Sequence, residues 1–278
     1  KGSIVGLDRF FDYTIRQYGV MMFKSNGNQG TSSTPYSTSP GNGYNMTCTG
    51  CYNAGKSADW ADDKMASYSS YRNPVEGHEK PEVASPGDSI ISTYRTSSPW
   101  VGTFGGTSSA SPLTAGTATL MATVDMAIAT RPEVVKSLLM ASAWHNVEGD
   151  PVLSDKDGAG GVHTTAACTA VGEKQWELHK LTAASFTGGT FERTILCQAG
   201  DETRVVGLWF SVANSARTTD VLQMDLDLVV LDPAQNVVAS SASSKNPFEI
   251  VSFVPWMTGP YTLRFQNQRF NNPDERLA

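Results

Sequence analysis

A serine at the junction of a glycine-rich loop and a helical pattern is the first candidate for chemistry. The stretch Gly106-Thr107-Ser108-Ser109-Ala110-Ser111-Pro112 joins a loop of glycines and small polar residues, 102–111, to a small-residue helical pattern that runs from Pro112 to about residue 129. At a helix N-terminus, unpaired backbone N–H groups point outward and the local field favours negative charge. A nucleophile for acyl transfer, and the oxyanion that it generates, need that setting. Taken alone, the same residues are also typical of a simple helix N-cap at Ser108 or Ser111.

Asn28 adds a second polar group with a defined place in a fold. It lies in a turn, residues 25–30, directly after the apolar run 20–23, which is typical of a strand buried on both faces of a parallel sheet. The ends of such strands form the edge at which sites are built. An amide donor there could share an oxyanion with the N–H of Ser108. The alternative interpretation of Asn28 is a turn residue that tolerates left-handed φ.

The elements that would position these residues alternate between helix and strand. Apolar residues recur at helical spacing over residues 8–18, and Gly19 is a plausible stop. Strand-like runs follow near residues 45–52, 82–84 and 89–93. Residues 130–133 resemble a capping box with Pro132 in the first turn of another helix. This alternation predicts an α/β domain over residues 1–171.

The pattern changes after about residue 171. Met224, Leu226, Leu228 and Val230 recur with a period of two, and so do Tyr261, Leu263 and Phe265. This period is typical of half-buried strands, and residues 232–236 form a turn between two of them. We therefore predict a second domain, residues 172–278, built as an antiparallel β-sandwich.

Composition excludes several classes of partner and site. The 278 residues carry a net charge of −6, which argues against nucleic acid and anionic membranes as partners, and no apolar run is long enough for a membrane span.

Cys48 and Cys51 form a C-x-x-C in a strand-like run, where residues three apart face opposite sides. We therefore interpret them as buried thiols, or as partners in bridges elsewhere, before a redox or metal pair. A bridge between Cys168 and Cys197 across the domain boundary is a further expectation.

Five segments in a fixed order carry a family resemblance. They are Lys24-Ser25-Asn26-Gly27-Asn28-Gln29-Gly30, residues 65–70, residues 80–87 followed by 91–93, residues 106–112, and residues 158–162. Over roughly residues 4–165 they resemble the subtilisin-like serine peptidases, and the serine motif is similar to that family's Gly-Thr-Ser-x-Ala-x-Pro. The tail, through residues 225–228 and 246–249, resembles the jelly-roll domain appended to some larger secreted subtilases.

The resemblance implies roles for individual residues. Ser108 would be the nucleophile, Asn28 the side-chain oxyanion donor, and Ser25, Asn26 and Gly27 would line the primary specificity pocket. It implies a secreted endopeptidase that acts on polypeptide substrates and requires no cofactor for catalysis. Structural Ca²⁺ is common in the family, and Asp225 and Asp227, which share one face of a strand, are the candidate ligands. The alternative for this pair is a solvated strand face.

The chain departs from the family in its catalytic base. The family's His-Gly-Thr and Asp-Thr/Ser-Gly motifs are absent, and we interpret His78, His145, His163 and His179 as surface or capping residues. Three explanations compete. The preferred one is that the Asp and His lie upstream, in an N-terminal part of the same protease, which would leave this chain inactive in isolation. The others are an inactive scaffold used for binding, and a different base within this chain.

Overall fold

The computed structural model describes residues 3–55, 57–71, 78–93, 101–144, 147–148 and 152–278. The helices are α1 Gly6–Tyr18, α2 Thr107–Val124, α3 Pro132–Ala141 and α4 Thr164–Gly172, with short 3-10 turns at Trp60–Asp62, Met126–Ile128 and Ala183–Ser185. The strands are β1 Phe23–Ser25, β2 Thr47–Asn53, β3 Lys64–Met65, β4 Val83–Pro86, β5 Ile90–Thr93, β6 Val101–Phe104, β7 His179–Leu181, β8 Thr190–Cys197, β9 Thr203–Leu208, β10 Val212–Ala213, β11 Asp220–Val221, β12 Met224–Leu231, β13 Val237–Ser241, β14 Phe248–Phe253, β15 Gly259–Phe270 and β16 Glu275–Leu277.

A parallel sheet of three strands forms the centre of the first part of the chain. β2 lies between β1 and β4 and is parallel to both, while β3 pairs antiparallel with the end of β2. The side chains of β2 are buried from Thr47 to Tyr52, as expected for a strand covered on both faces. Helix α2 packs across all three parallel strands. The α/β prediction is confirmed, with β5 and β6 added as a separate hairpin.

The first strand differs from its prediction. The apolar run 20–23 was expected to be the strand, but β1 begins only at Phe23 and its three residues are half-buried. Its register with β2 starts at Phe23 and Thr47. Met21 and Met22 instead precede the ladder and pack their side chains against the main hydrophobic core. Burial of apolar side chains, which does not require strand pairing, therefore explains the run.

Two helices begin differently from expectation. Helix α2 starts at Thr107, five residues before Pro112, because Gly106 turns the chain at φ 127° and the N–H of Thr107 finds its acceptor in Asn28. Helix α3 starts at Pro132 with Arg131 as its N-cap and no side-chain cap, so the predicted capping box does not form. Glu133, which would have closed that box, forms an ion pair with Arg276 instead, at 3.0 Å. By contrast, α1 matches its prediction and ends at Gly19 with φ 62°.

The second part of the chain consists of antiparallel strands, as predicted. One sheet has the order β13-β12-β15-β8, and β9 pairs with β14 in another. Leu226, Leu228 and Val230 from the first sheet share a core cluster with Val251 and Phe253 from the second, which is the packing of a sandwich. The alternating residues of β12 and β15 pair directly, with Leu228 opposite Phe265 and Val230 opposite Leu263.

The two parts also share apolar packing and polar contacts. Leu208, Phe210, Phe248 and Ile250 belong to the same core cluster as the side chains of α3. Arg204 on β9 donates to the carbonyl of Ala159 at 2.6 Å and to that of Met140 at 3.2 Å. The predicted boundary at residue 171 falls at the end of α4. This domain boundary remains a prediction, because the two parts of the chain contact each other on either side of it.

All four cysteines are free thiols. Cys48 and Cys51 are fully buried on β2, so the interpretation of this C-x-x-C as buried thiols is confirmed. Burial raises the pKa of Cys48 to about 11, which keeps it protonated and inert. The expected bridge between Cys168 and Cys197 is wrong, since Cys168 lies on α4 and Cys197 ends β8 without joining. In the part of the chain that the structure describes, no helix is long and apolar enough to cross a membrane.

The segment 158–162, one of the five that carry the family resemblance, runs beside β4. The N–H of Ala84 donates to Gly160 O at 2.9 Å, and the N–H of Val162 donates to Ala84 O at 2.7 Å. Asp157 precedes this segment, and its carboxylate accepts a hydrogen bond from the Ser154 hydroxyl. Burial raises the pKa of Asp157 to about 6, although that hydrogen bond acts in the opposite direction. The segment therefore begins at a carboxyl group that is costly to ionise.

This carboxyl group predicts a pH-dependent contribution to stability. Because the pKa of Asp157 in the fold, about 6, exceeds its unfolded value of about 3.9, the protonated acid stabilises the fold below about pH 4, and this contribution is lost as pH rises through 6. Between pH 4 and pH 7, we expect Asp157→Asn to gain about 1–3 kcal/mol in free energy of unfolding relative to wild type. Urea unfolding at both pH values measures the difference, with Asp155→Asn, at an exposed position, as the control. An equal response of both variants to pH would contradict the assignment.

Candidate active site

Ser108 lies in the first turn of α2 and is exposed to solvent. Gly106 and the following residues fix this turn, since Gly106 N donates to Gly87 O at 3.0 Å and Gly106 O accepts from Ser109 N at 2.9 Å. The N–H of Ser108 has no acceptor among the residues that the structure describes. The serine therefore presents both a hydroxyl group and a free backbone donor at the positive end of a helix, as an oxyanion requires.

Asn28 is held against the start of the same helix by Thr107. The side-chain oxygen Oδ1 of Asn28 accepts from Thr107 N at 3.0 Å and from Thr107 Oγ1 at 2.9 Å. Thr107 Oγ1 in turn accepts from the N–H of Gly27 at 3.2 Å. Because Thr107 occupies the amide oxygen, the amide nitrogen Nδ2 keeps its two hydrogens for other partners, and no described residue accepts from it. Thr107 thus contacts two residues, Asn28 and Ser108, that each keep an N–H donor with no acceptor among the described residues.

The turn that carries Asn28 is anchored from below. The Asn26 side chain is fully buried and donates to Ser70 O at 2.7 Å. Ser70 N donates to Gly27 O at 2.8 Å, and Gly30 N donates to Tyr68 O at 2.7 Å. Residues 65–70, the segment that resembles the family's surface-strand motif, therefore pin this turn from the side, although only Met65 of them lies in a strand, β3.

These contacts bear on the three residues expected to line the specificity pocket. Asn26 is fully buried, its side chain donates to Ser70 O, and its backbone N–H donates to Thr49 O at 3.0 Å while its carbonyl accepts from Thr38 N at 3.2 Å. Ser25 and Gly27 are half-buried next to it. The assignment of Ser25, Asn26 and Gly27 to substrate binding stays a prediction.

A hydrogen-bonded chain of side chains supports the loop before the serine. Tyr68 Oη donates to Asp88 Oδ1 at 2.9 Å, and Asn53 Nδ2 donates to Asp88 Oδ2 at 2.9 Å. The Cys51 thiol lies 3.6 Å from Tyr68 Oη. A Cβ atom on Gly105 would lie 3.3 Å from Asp88 Oδ1, so this carboxylate packs directly against the loop. These hydrogen-bonded side chains therefore pack next to Gly105, which precedes the turn into α2.

Each described histidine has a role away from Ser108. His163 is the N-cap of α4 and accepts from Ala166 N at 2.9 Å through Nδ1, which confirms the capping interpretation. His179 is half-buried on β7 and pairs with Glu177 at 2.7 Å. His78 corrects its expectation, because it is buried against the Tyr44 ring rather than exposed in a polar loop. Burial, together with Lys80 and Lys136, lowers the pKa of His78 well below its usual value. His145 lies outside the described residues.

The candidate calcium ligands already have partners. Asp225 lies 3.6 Å from Arg269 Nη2, and Asp227 accepts from Gln268 Nε2 at 2.7 Å. Burial raises the pKa of Asp225, with Arg269 acting against it. Over the described residues, no group of three or more His, Cys, Asp or Glu side chains has the arrangement of a metal site. Calcium at Asp225 and Asp227 stays a prediction.

Sequence reasoning singled out Ser108 and Asn28, and the structure brings the two loops that carry them together. The sequence analysis missed the role of Thr107. This residue belongs to the serine motif and donates to Asn28, which lies 79 residues earlier in the chain. The sequence analysis also missed Tyr68 and Asp88, for which no sequence signal was available, because their contact with the loop exists only after folding. No described histidine is hydrogen-bonded to Ser108.

Comparisons with known proteins identify a family for most of the first part of the chain. Residues 6–160, more than half of the chain, match the sequence model of the subtilase family. No curated protein matches the chain. Solved structures similar to it include the prenylagaramide maturation protease PagA (TM-score 0.45, 19% identity, 56% of this chain and 52% of that chain), the patellamide maturation protease PatA (0.44, 20%, 57% and 53%) and a lanthipeptide protease (0.45, 18%, 58% and 54%). The match spans about half the length of each of these structures.

Proposed function

The chain belongs to the subtilase family, and from this premise we propose that it carries the nucleophile and the oxyanion hole of a serine endopeptidase. The observation that supports the proposal most directly is the pair of unused donors beside Thr107. Ser108 N–H has no acceptor in the described part of the chain, and Asn28 uses its amide oxygen on Thr107, which leaves Nδ2 as a donor without a described acceptor. A tetrahedral intermediate on Ser108 needs two such donors for its oxyanion.

The chemistry follows from these positions. The hydroxyl oxygen of Ser108 attacks the carbonyl carbon of a peptide bond, and the carbonyl oxygen becomes an oxyanion that accepts from Ser108 N–H and Asn28 Nδ2. Collapse of the intermediate expels the amine of the leaving peptide and forms an acyl-enzyme. Water then hydrolyses the ester and restores Ser108. The hydroxyl proton must pass to a base on the way, and from that base to the leaving amine.

We place that base and its orienting carboxylate in an N-terminal part of the same protease, upstream of this chain. The His and Asp motifs of the family are absent from the sequence, and no described histidine is bonded to Ser108. On this proposal the protein is a secreted enzyme that cleaves polypeptides, and the chain by itself has little activity.

A serine-directed phosphonate tests the proposal. The complete protein is expected to form a covalent adduct at Ser108, detected by mass spectrometry of the peptide that contains it. The chain alone, without a base, is expected to react far more slowly, because an unactivated serine hydroxyl is a weak nucleophile.

The competing proposal is an inactive subtilase scaffold used for binding. It predicts no adduct at Ser108 in the complete protein, so unlabelled Ser108 under conditions that label a control subtilase would favour it. Equal labelling of the chain alone and the complete protein would instead show that the base lies within this chain.

A further inference from the structure

An open groove of about 900 Å³ lies one helical turn beyond the serine, between α2, the N-terminus of α4 and the loop that contains Trp60. On the α2 side it is lined by Leu113, Gly116 and Leu120, which succeed one another at helical spacing on one face. Leu113 and Leu120 are 44% and 52% exposed, so this face is not covered by the rest of the described chain. The groove thus offers an apolar wall close to the candidate nucleophile.

Aromatic rings form the opposite side. Trp60 stacks on His163 with ring centroids 5.3 Å apart and an angle of 11° between the ring planes. Trp144 packs against Trp60 at 5.3 Å and is 42% exposed. Stacked rings of this kind attract cationic side chains to their faces, Arg more often than Lys.

A carboxylate faces the groove without a partner. Asp63 lines it and is only 9% exposed. Within the described ranges, no donor lies at hydrogen-bond or ion-pair distance from the Asp63 carboxylate. Burial raises its pKa, with Asp62 and Asp59 adding to the effect. Because no described donor pairs with it, this carboxylate is available to a cationic group of a ligand in the groove.

From these contacts we propose that the groove binds a basic segment of a polypeptide, with an Arg or Lys side chain placed between the Trp60 ring and the Asp63 carboxylate, both of which line the groove. Neighbouring apolar side chains of the segment would lie on Leu113 and Leu120. The proposal deepens the proposed function, since it identifies a recognition site for basic polypeptide substrates outside the residues that carry the chemistry. The surrounding charge agrees with it, because Asp59 and Asp62 flank Asp63 on the same loop and none of the three is in an ion pair in the described structure.

Binding of a short fluorescein-labelled peptide tests the proposal. The peptide carries one arginine between two leucines, and its partner carries citrulline, which has a similar shape without the charge. Fluorescence anisotropy is measured on complete protein with Ser108→Ala, so that binding is read without cleavage. We expect saturable binding, with the arginine peptide about tenfold tighter than the citrulline peptide. Added salt is expected to reduce this preference.

Asp63→Asn and Asp62→Asn form a matched pair of variants. Both remove one negative charge from the same loop, but only Asp63 lines the groove. In Asp63→Asn the arginine and citrulline peptides are expected to bind with about equal affinity. In Asp62→Asn the ratio of the two affinities is expected to stay within about twofold of the parent. Trp60→Leu is expected to weaken arginine-peptide binding several-fold. If Asp63→Asn fails to fold, the affinities of the arginine and citrulline peptides for the parent still show whether the groove recognises the positive charge.

Three results would overturn the site: no saturable binding, equal affinity for the two peptides, or an arginine preference that survives Asp63→Asn. Each is distinct from failure of the proposed function. Phosphonate labelling of Ser108 reports on the catalytic proposal, and peptide binding in the Ser108→Ala background reports on the groove.

Discussion

Ser108→Ala in the complete protein is expected to reduce kcat for peptide hydrolysis on the order of 10⁶-fold, the size of the loss measured for the serine of subtilisin, a relative of this chain. On the proposed mechanism the hydroxyl oxygen of Ser108 forms the bond to the substrate, so no neighbouring group is expected to replace it. Ser108 is exposed in the first turn of α2 and its hydroxyl makes no side-chain hydrogen bond among the described residues, so the fold is expected to be unaffected. Turnover of a peptide substrate and a thermal unfolding curve measure the two effects.

Asn28→Ala serves as the graded comparison. It removes one oxyanion donor and leaves the nucleophile, so the expected loss is about 10²–10³-fold in kcat, again a magnitude known from subtilisin. The loss is expected in kcat with little change in KM, because the oxyanion exists only in the transition state and the intermediate. Parental activity in Ser108→Ala would contradict the nucleophile assignment, and an unchanged kcat in Asn28→Ala would leave the nucleophile but remove the proposed donor.

Glu82→Gln is expected to lower the free energy of unfolding by roughly 3–5 kcal/mol, the usual cost of removing one partner from a buried ion pair. Glu82 Oε1 lies 2.5 Å from Lys80 Nζ and 2.6 Å from Lys136 Nζ. All three side chains are at most 1% exposed. The variant would leave two ammonium groups in the interior with no anion at that distance.

The geometry of this cluster explains why its central carboxylate matters. Glu82 Oε2 accepts from Cys48 N at 2.8 Å, and both lysines also donate to Met46 O, at 3.1 and 3.2 Å. Burial lowers the pKa of Lys136 even with Glu82 beside it. The cluster connects α3 to the N-terminal ends of β2 and β4, so its loss is expected to weaken the packing of the helix on the central sheet.

Urea unfolding measures the loss, with Glu192→Gln as the matched control. Glu192 forms an ion pair with Arg264 at 2.5 Å but is 45% exposed, so its replacement is expected to cost less than about 1 kcal/mol. Combining Glu82→Gln with Lys136→Met removes one of the uncompensated charges and is expected to recover part of the stability. A cost for Glu82→Gln as small as that of the control would mean that the buried cluster contributes little.

The parts of the fold that sequence predicted well depend on local pattern. The 3.6-residue period and Gly19 predicted α1, and the period of two predicted β12 and β15. Burial of one face of a helix or strand produces this periodic pattern of apolar residues in the sequence. The errors arose where a distant contact overrode that local signal. Helix α2 begins at Thr107 because Asn28 accepts its N–H, and the capping box at residue 130 fails because Glu133 pairs with Arg276.

The sequence by itself determined the family and its serine motif, and it predicted Asn28 as the partner of Ser108, since all of these rest on residue types in a fixed order. Only the tertiary structure decided that Thr107 occupies the Asn28 amide oxygen, that Lys80, Lys136 and Glu82 share one buried site, and that Asp63 lines a groove with no described partner. The physical reason is common to all three. Hydrogen bonds and ion pairs depend on ångström-scale distances between residues far apart in the chain, and those distances are set by packing.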